Sequence, residues 1–224
     1  MSRSPLAFAA WGLAAALAAA GVAPAARAQS DLATARPASI LVLPPLNETP
    51  DLKAGPAVWA LVTRPLAEAG YYVVPVTLVD QTFRQNGVPT PADAQDVPFS
   101  RLREQFGADA ALYLRVTEFG AVYRMVSTEV TVGVSGRLID LRDETVVWEG
   151  RVRVSDGGAA PAYAGAGGLI AAAALRQLTA TWFDAAAHLT ERATNRLVDG
   201  RGGLVRGARS PRAGQPPPGA PGAR

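Results

Sequence analysis

The most constraining stretch of this chain lies between Val126 and Val154. Val126, Thr128, Val130, Val132, Val134 and Leu138 share one parity, opposed by Ser127, Glu129, Thr131, Ser135 and Arg137. After Arg142-Asp143-Glu144, the residues Val146, Trp148, Val152 and Val154 alternate with Glu149, Arg151 and Arg153. Successive side chains of an extended chain point to opposite faces, so strict period two demands one buried and one wet face. That is the mark of antiparallel strands. The turn at Arg142 to Glu144 makes them a hairpin that sets Trp148 against the valines of its partner.

The first half reads differently. Ser39 to Leu43 is an almost continuous apolar run stopped by Pro44-Pro45, the pattern of a strand buried on both faces. After a loop from Leu46 to Gly55, Pro56 opens a helix. Val58, Leu61, Val62, Leu66 and Ala69 follow at helical spacing to a stop at Gly70, with Pro65 predicting a kink or a split. Tyr71 to Val76 reads as a second strand, so strand, helix and strand form a right-handed parallel crossover. Two short helices are expected, Leu78 to Gln85 ending at the left-handed pair Asn86-Gly87, and Phe99 to Phe106 ending at Gly107. Asp109 to Val116 is a third strand. A Gly/Ala-rich loop covers Asp156 to Gly168, and a long helix from Leu169 to Val198 carries Leu175, Leu178, Trp182, Leu189 and Leu197 on one face. The fold class is therefore α/β (α+β), with a mixed sheet of about five strands, parallel first and an antiparallel hairpin second, and helices mainly on one face.

The ends have other compositions. Residues 1–28 form a secretory signal: Arg3, an uncharged run from Leu6 to Val22, then Ala26-Arg27-Ala28, with cleavage between Ala28 and Gln29. Residues 29–38 are a linker and 39–199 a single domain, as 224 residues with 49% hydrophobic content allow one good core. Residues 200–224 hold five arginines and no acid; rich in Pro and Gly, they read as a disordered basic tail. The formal charge of +3 comes from the ends, because all 19 acidic residues fall in the body. A basic stripe on the body, which nucleic-acid binding requires, is missing.

Composition removes much chemistry. The absence of cysteine excludes a disulfide scaffold, a thiolate metal site and a cysteine nucleophile, and the single histidine, His188, excludes sites needing two. Gly133-Val134-Ser135-Gly136 approaches a nucleophile elbow, but Arg137 stands where the last glycine should be. Gly165-Ala166-Gly167-Gly168 lacks the Lys-Ser/Thr of a phosphate loop. Asp140, Asp143 and Glu144 have turn chemistry rather than calcium-loop spacing. No catalytic residue, metal site or cofactor is expected. The better candidate is the loop Pro44 to Asp51, which leaves the carboxyl end of a buried strand, where open sheets place ligand crevices. Asn47, Glu48, Thr49 and Asp51 could receive a partner there or cap the loop and the next helix. Tyr71, Tyr72 and Tyr113 are either interface or core aromatics.

Ile40-Leu-Val-Leu-Pro-Pro-Leu-Asn47, Pro65-Leu-Ala-Glu-Ala-Gly-Tyr-Tyr-Val73, Asn86-Gly87, Phe106-Gly-Ala-Asp-Ala-Ala-Leu-Tyr113 and Trp148-Glu-Gly150 occur in this order. They resemble a bacterial lipoprotein family of unknown function typified by a genome-derived neisserial antigen. Its wider fold is similar to the TolB amino-terminal domain and to CsgG-type and peptidoglycan-synthase-activating lipoproteins. The resemblance implies helices against a mixed sheet, no established enzymatic activity and an envelope role in assembly or transport. Family members bear a lipidated cysteine after the signal, whereas this chain has no cysteine.

The expectation is therefore an exported, periplasmic, non-enzymatic binding or assembly component, with outer-membrane association as the second localisation. Its partners would be envelope proteins, including a CsgG-like outer-membrane assembly, or further copies of itself, and not nucleic acid. The alternatives are a periplasmic small-ligand binder and a glycan-acting enzyme built on two carboxylates.

Overall fold

A computed structural model describes residues 37–124, 127–156, 186–200, 202–204, 206–211 and 213. The signal segment, Val126, the Gly/Ala-rich loop, Gly165 to Gly168 and the first part of the long helix lie outside these residues. The elements in chain order are β1 (Ser39–Val42), β2 (Leu46–Asn47), α1 (Ala54–Glu68), β3 (Tyr72–Val73), α2 (Val76–Gln85), α3 (Pro91–Gln95), α4 (Phe99–Phe106), β4 (Ala110–Arg124), β5 (Ser127–Asp140) and β6 (Val146–Ser155). A further helix, α5, spans residues 186–199.

The strands form one mixed, six-stranded sheet in the order β3-β1-β4-β5-β6, with β2 also on β4. β3, β1, β2 and β4 run parallel, and β4, β5 and β6 antiparallel. The alternation in the sequence is realised in the register: Leu138 faces Trp148, Val134 faces Val152 and Val132 faces Val154. Ser135 and Arg137 fall on the opposite parity, with Arg137 exposed. β1 and β2 are one strand broken at Pro44-Pro45. From the Val42–Leu112 pair to the Leu46–Arg115 pair, the first strand spends four residues and β4 three.

Alternation along β1 separates two cores. Ile40 and Val42 pack with Val58, Val62 and Leu66 of α1 and with Leu189, Ala193 and Leu197 of α5. Leu41 and Leu43 pack with Val79 and Phe83 of α2, Ala94 of α3 and Leu102 of α4. The expectation that helices lie mainly on one face thus holds for the antiparallel half, while the parallel half is covered on both. The strand order explains this. From β1 the chain crosses to β3 on one side, and from β3 it passes back over β1 to β4 on the other. Right-handed crossovers running in opposite directions place their helices on opposite faces.

Other boundaries also differ from expectation. Strand β3 is only Tyr72–Val73, because Pro75 caps α2, which starts at Val76 rather than Leu78. Helix α1 begins at Ala54, two residues before Pro56, and runs without a split through Pro65, which lies in its last turn and removes one donor from the ladder. Strand β4 continues past Val116 to Arg124, because Thr117 is an extra residue that interrupts the pairing and shifts the apolar parity. Residues beyond 200 are not all tail: Leu204 is buried, Arg206 pairs with Asp199 at 2.8 Å, and Gly207 N–H donates to Ala69 C=O at 2.8 Å. These contacts of a short strap rest largely on backbone groups and on one buried leucine, which leave no apolar periodicity in the sequence.

Two carboxylates pin the sheet. Asp109 Oδ2 accepts from Ala38 N–H, Ser39 N–H and Ser39 Oγ at 2.9–3.0 Å, fixing the start of β1 against β4. Asp140 is fully buried and held by the Arg142 guanidinium and its backbone N–H. Burial alone would raise this carboxyl, but its bonds to Arg142 outweigh it and hold it below the ordinary range. A depressed folded-state value gives stability that is complete above about pH 4 and lost as pH falls through the folded value. Denaturation between pH 5 and 2 should therefore show an acid limb that Asp140→Asn flattens.

Candidate functional site

The break at Pro44-Pro45 interrupts the ladder, and two side chains close it. Trp59 Nε1–H of α1 donates to Val42 C=O at 3.0 Å. Gln95 Nε2 of α3 donates to Pro44 C=O at 2.9 Å and to Leu114 C=O at 3.0 Å. Neither role is visible in a linear pattern. Helix α3 itself was missed because it has five residues, although Thr90-Pro91-Ala92-Asp93 carries its start signal: Thr90 caps Asp93 N–H with proline in the first turn. Gln95→Ala should cost about 1–2 kcal/mol of unfolding free energy, since it leaves carbonyls unpaired at the break; urea denaturation measures it.

With the indole N–H so occupied, Trp59 stands at the wall of a groove of about 540 Å³ outside the carboxyl end of β1. Pro44 and Pro45 are lining residues from the break, and Pro56 and Trp59 from α1. Val76 and Phe83 of α2 line the opposite wall, with Val88 and Pro89 beyond them. Leu52 stands at its rim, 87% exposed. The rim charges Asp80 and Arg84 pair with each other at 2.9 Å, so the groove is apolar and close to neutral. It opens at the carboxyl end of β1, which lies between β3 and β4 and is flanked by crossovers on opposite faces of the sheet, the position expected for a crevice.

The four residues singled out in the loop are brought together, and mainly serve the loop. Asn47 Oδ1 accepts from Thr49 N–H at 3.0 Å and Thr49 Oγ1 at 2.8 Å, and its Nδ2 donates to Asp51 C=O at 2.8 Å. Asp51 Oδ1 accepts from Lys53 N–H at 2.8 Å at the head of α1. Glu48 pairs with Arg115 of β4. Of the four, only Asn47 lines the groove. Among the described residues, no group of three or more His, Asp or Glu is gathered to hold a metal ion. His188 is exposed on α5.

A second surface is the wet face of the antiparallel half. Tyr113, Arg137 and Glu149 form one cross-strand row, and Arg115, Ser135 and Arg151 the next. The Arg137 guanidinium lies 5.7 Å from the Tyr113 ring centroid. Burial pushes the Tyr113 hydroxyl up to about 12, with Arg137 opposing. Tyr113 and Tyr71 are buried, and Tyr72 is half exposed beneath Arg209.

The motifs noted in the sequence are thus turns, clamps and close contacts. Residues 28–209 match the family model described as Putative lipoprotein GNA1162-like. A curated relative, Putative lipoprotein NMB1124/NMB1162 of Neisseria meningitidis serogroup B, is 44% identical over 122 residues, 54% of this chain and 57% of the relative. The chain therefore matches little more than half the length of that relative. The crystal structure of lipoprotein GNA1162 from Neisseria meningitidis is similar at 40% identity and a TM-score of 0.53, covering 64% of this chain and 99% of that one. The LpoB C-terminal domain from Salmonella enterica is a distant likeness, 17% identical with a TM-score of 0.40 over 58% of this chain and 93% of that one. The family match spans both the sheet and the strap that closes it, so this chain belongs to the GNA1162-like lipoprotein family.

Proposed function

We propose that this chain is an exported accessory protein of the cell envelope that works by binding, holding an extended apolar segment of a partner envelope protein in the Trp59 groove. The observation that carries the reading is the contrast at the carboxyl end of β1. The polar side chains of the loop are spent on the loop, on the head of α1 and on Arg115 of β4, while an apolar trough edged by Leu52, Trp59 and prolines is left open. Flat aromatic and proline surfaces suit an extended peptide, which offers ridges of apolar side chains and little polar demand. Family membership supports an envelope location.

Leu52 gives the cleanest test, because at 87% exposure it contributes little to the fold. Leu52→Asp should reduce recovery of envelope partners in pull-downs at least tenfold, the loss expected for a charge facing an apolar contact. A Glu48→Ala, Asp51→Ala double variant should change recovery little. Unchanged capture by Leu52→Asp would remove the groove from the account. The groove's volume also lies within the range of small-molecule sites. If a metabolite is the occupant, thermal shift with envelope metabolites should raise the melting temperature of the parent chain and not of Leu52→Asp.

A further inference from the structure

The geometry points to a second binding site, separate from the Trp59 groove: the wet face of β4, β5 and β6 takes a phosphorylated sugar, its phosphate on Arg137 and Arg151 and its hydroxyls on Gln95 and Glu149. Tyr113 still packs against Phe99 of α4, with ring centroids 6.2 Å apart, whereas Arg137 and Arg151 beyond it are exposed. A cavity of about 520 Å³ lies at this step, where the helical layer ends and the sheet faces solvent. It shares no lining residue with the Trp59 groove. Helix α3 stands between the two, with Pro91 at its start lining the groove and Gln95 at its end lining the cavity.

The first observation is which charges on this face are spent. Arg115 pairs with Glu48, and Arg153 pairs with Glu118. Between them, Arg137 and Arg151 form no ion pair among the described residues, although Glu149 is the register partner of Arg137. Arg137 lies against the Tyr113 ring instead. Three guanidiniums and one carboxylate therefore line the cavity.

The second is which hydrogen-bonding groups are left over. Gln95 Nε2 donates to both Pro44 C=O and Leu114 C=O, which leaves its Oε1 as an acceptor with no bond among the described residues. Ser135 Oγ, in the same lining, likewise makes none. Tyr113 is only 7% exposed, and its buried hydroxyl has no hydrogen-bond partner. Buried polar groups are normally paired, so an orphan hydroxyl in a cavity with two unpaired guanidiniums is an observation that a ligand explains.

The third is chemical fit. Arg151 is the register partner of Ser135, about 5 Å away on the neighbouring strand, and Arg137 lies two residues further along β5, about 7 Å from Ser135. Guanidinium forks bind phosphate oxygens in pairs, and a hydroxyl beside them supplies one more donor. Glu149 and Gln95 Oε1 are acceptors, which the hydroxyls of a sugar satisfy. The Glu149 carboxylate would repel an acidic peptide, and three arginines in two rows are too few to track a nucleic-acid backbone. The cavity's size suits a small molecule.

The test titrates the full chain with glucose 6-phosphate, glucose, inorganic phosphate and a poly-glutamate peptide, following the backbone amides of Tyr113, Ser135, Gly136 and Gly150 by NMR. Glucose 6-phosphate should shift these amides saturably and bind at least about threefold more tightly than inorganic phosphate, while glucose should leave them unmoved. Arg137→Gln combined with Arg151→Gln should weaken glucose 6-phosphate binding at least about tenfold. Arg151→Lys keeps the charge but loses the fork, and should weaken it at least about threefold. Arg192→Gln combined with Arg196→Gln removes the same charge from α5, on the opposite face of the sheet, and should change binding less than about twofold. All four arginines are exposed, so these variants keep the fold. Phosphatidylcholine vesicles with and without lipid A separate the two sources of such a group. Capture by lipid A vesicles alone, lost in the Arg137 and Arg151 double variant, supports the site and assigns a glycolipid headgroup. Saturable binding of glucose 6-phosphate without vesicle capture supports the site and assigns a soluble sugar phosphate. The inference is overturned by no saturable shift with glucose 6-phosphate, by equal affinity for inorganic phosphate, by tighter binding of the peptide, or by an equal loss in the α5 variant.

Discussion

Gly150→Ala is expected to destabilise the domain by about 3 kcal/mol, a large share of the stability of a domain this size. The cause is the Trp148-Glu-Gly150 motif. Trp148 is fully buried, lying across the Gly136–Gly150 pair of β5 and β6, and its Nε1–H donates to Gly202 C=O at 2.8 Å. A methyl group on Gly150 would stand 2.2 Å from Trp148 Cζ2 and 2.7 Å from Cη2. The indole has little room to retreat toward β5, because it already lies so close over Gly136 that a Cβ there would come within 3.1 Å of its Cζ3. Overpacking of this kind costs about 1–3 kcal/mol, and losing the bond to Gly202 adds about 1 kcal/mol. The comparison is Gly87→Ala, where a Cβ meets nothing within 4 Å and only the positive φ is penalised, at about 1 kcal/mol. Urea denaturation of the two variants measures the difference. Equal losses would mean that Trp148 is not the clamp described.

Gly70→Ala is the second large effect, and it should be local. Gly70 follows α1 with φ of 95°, and a Cβ there would lie 2.3 Å from Ser210 N and 2.7 Å from Ser210 Cα. The left-handed backbone costs an alanine about 1–2 kcal/mol. The clash falls on backbone, so the strap must leave rather than adjust. Hydrogen exchange should accelerate at Gly207 and Arg209, whose N–H groups donate to Ala69 and Gly70. The β4–β5 and β5–β6 ladders should keep most of their protection, since the strap opens as a subglobal unit. Uniform acceleration across the sheet would show instead that strap and sheet unfold together.

These two glycines indicate what the sequence can and cannot disclose. The β5–β6 register follows from period two because one face is buried and a one-residue slip would expose every valine. The two-sided burial of β1 follows equally from its unbroken apolar run. The second helical layer does not, because it depends on strand order, which nonlocal pairing of β1 with both β3 and β4 decides. Thr117 hides the far half of β4, since an extra residue inverts the parity on which the eye relies. The strap is invisible for another reason: Gly202 C=O, Gly207 N–H and Arg209 N–H hold it, and every residue owns such groups.

The proposed groove was half legible. Its position came from a general property of parallel sheets, and Asn47 does reach the groove. Thr49 and Asp51 turned to the loop and the helix start because short polar side chains there satisfy nearby backbone groups first, while Glu48 reaches Arg115 of β4 at the surface. Trp59 went unread as a site residue because an aromatic on an amphipathic helix looks like core. Only the bond to Val42 shows which way its ring is held.

Binding through the Trp59 groove is tested most directly by placing a photo-crosslinking amino acid at Leu52 in living cells, with the same substitution at the exposed turn residue Glu144 as the control. The account expects a discrete adduct with an envelope protein from position 52 and none from position 144. Absence of an adduct at 52, or the same adducts from both positions, would contradict it.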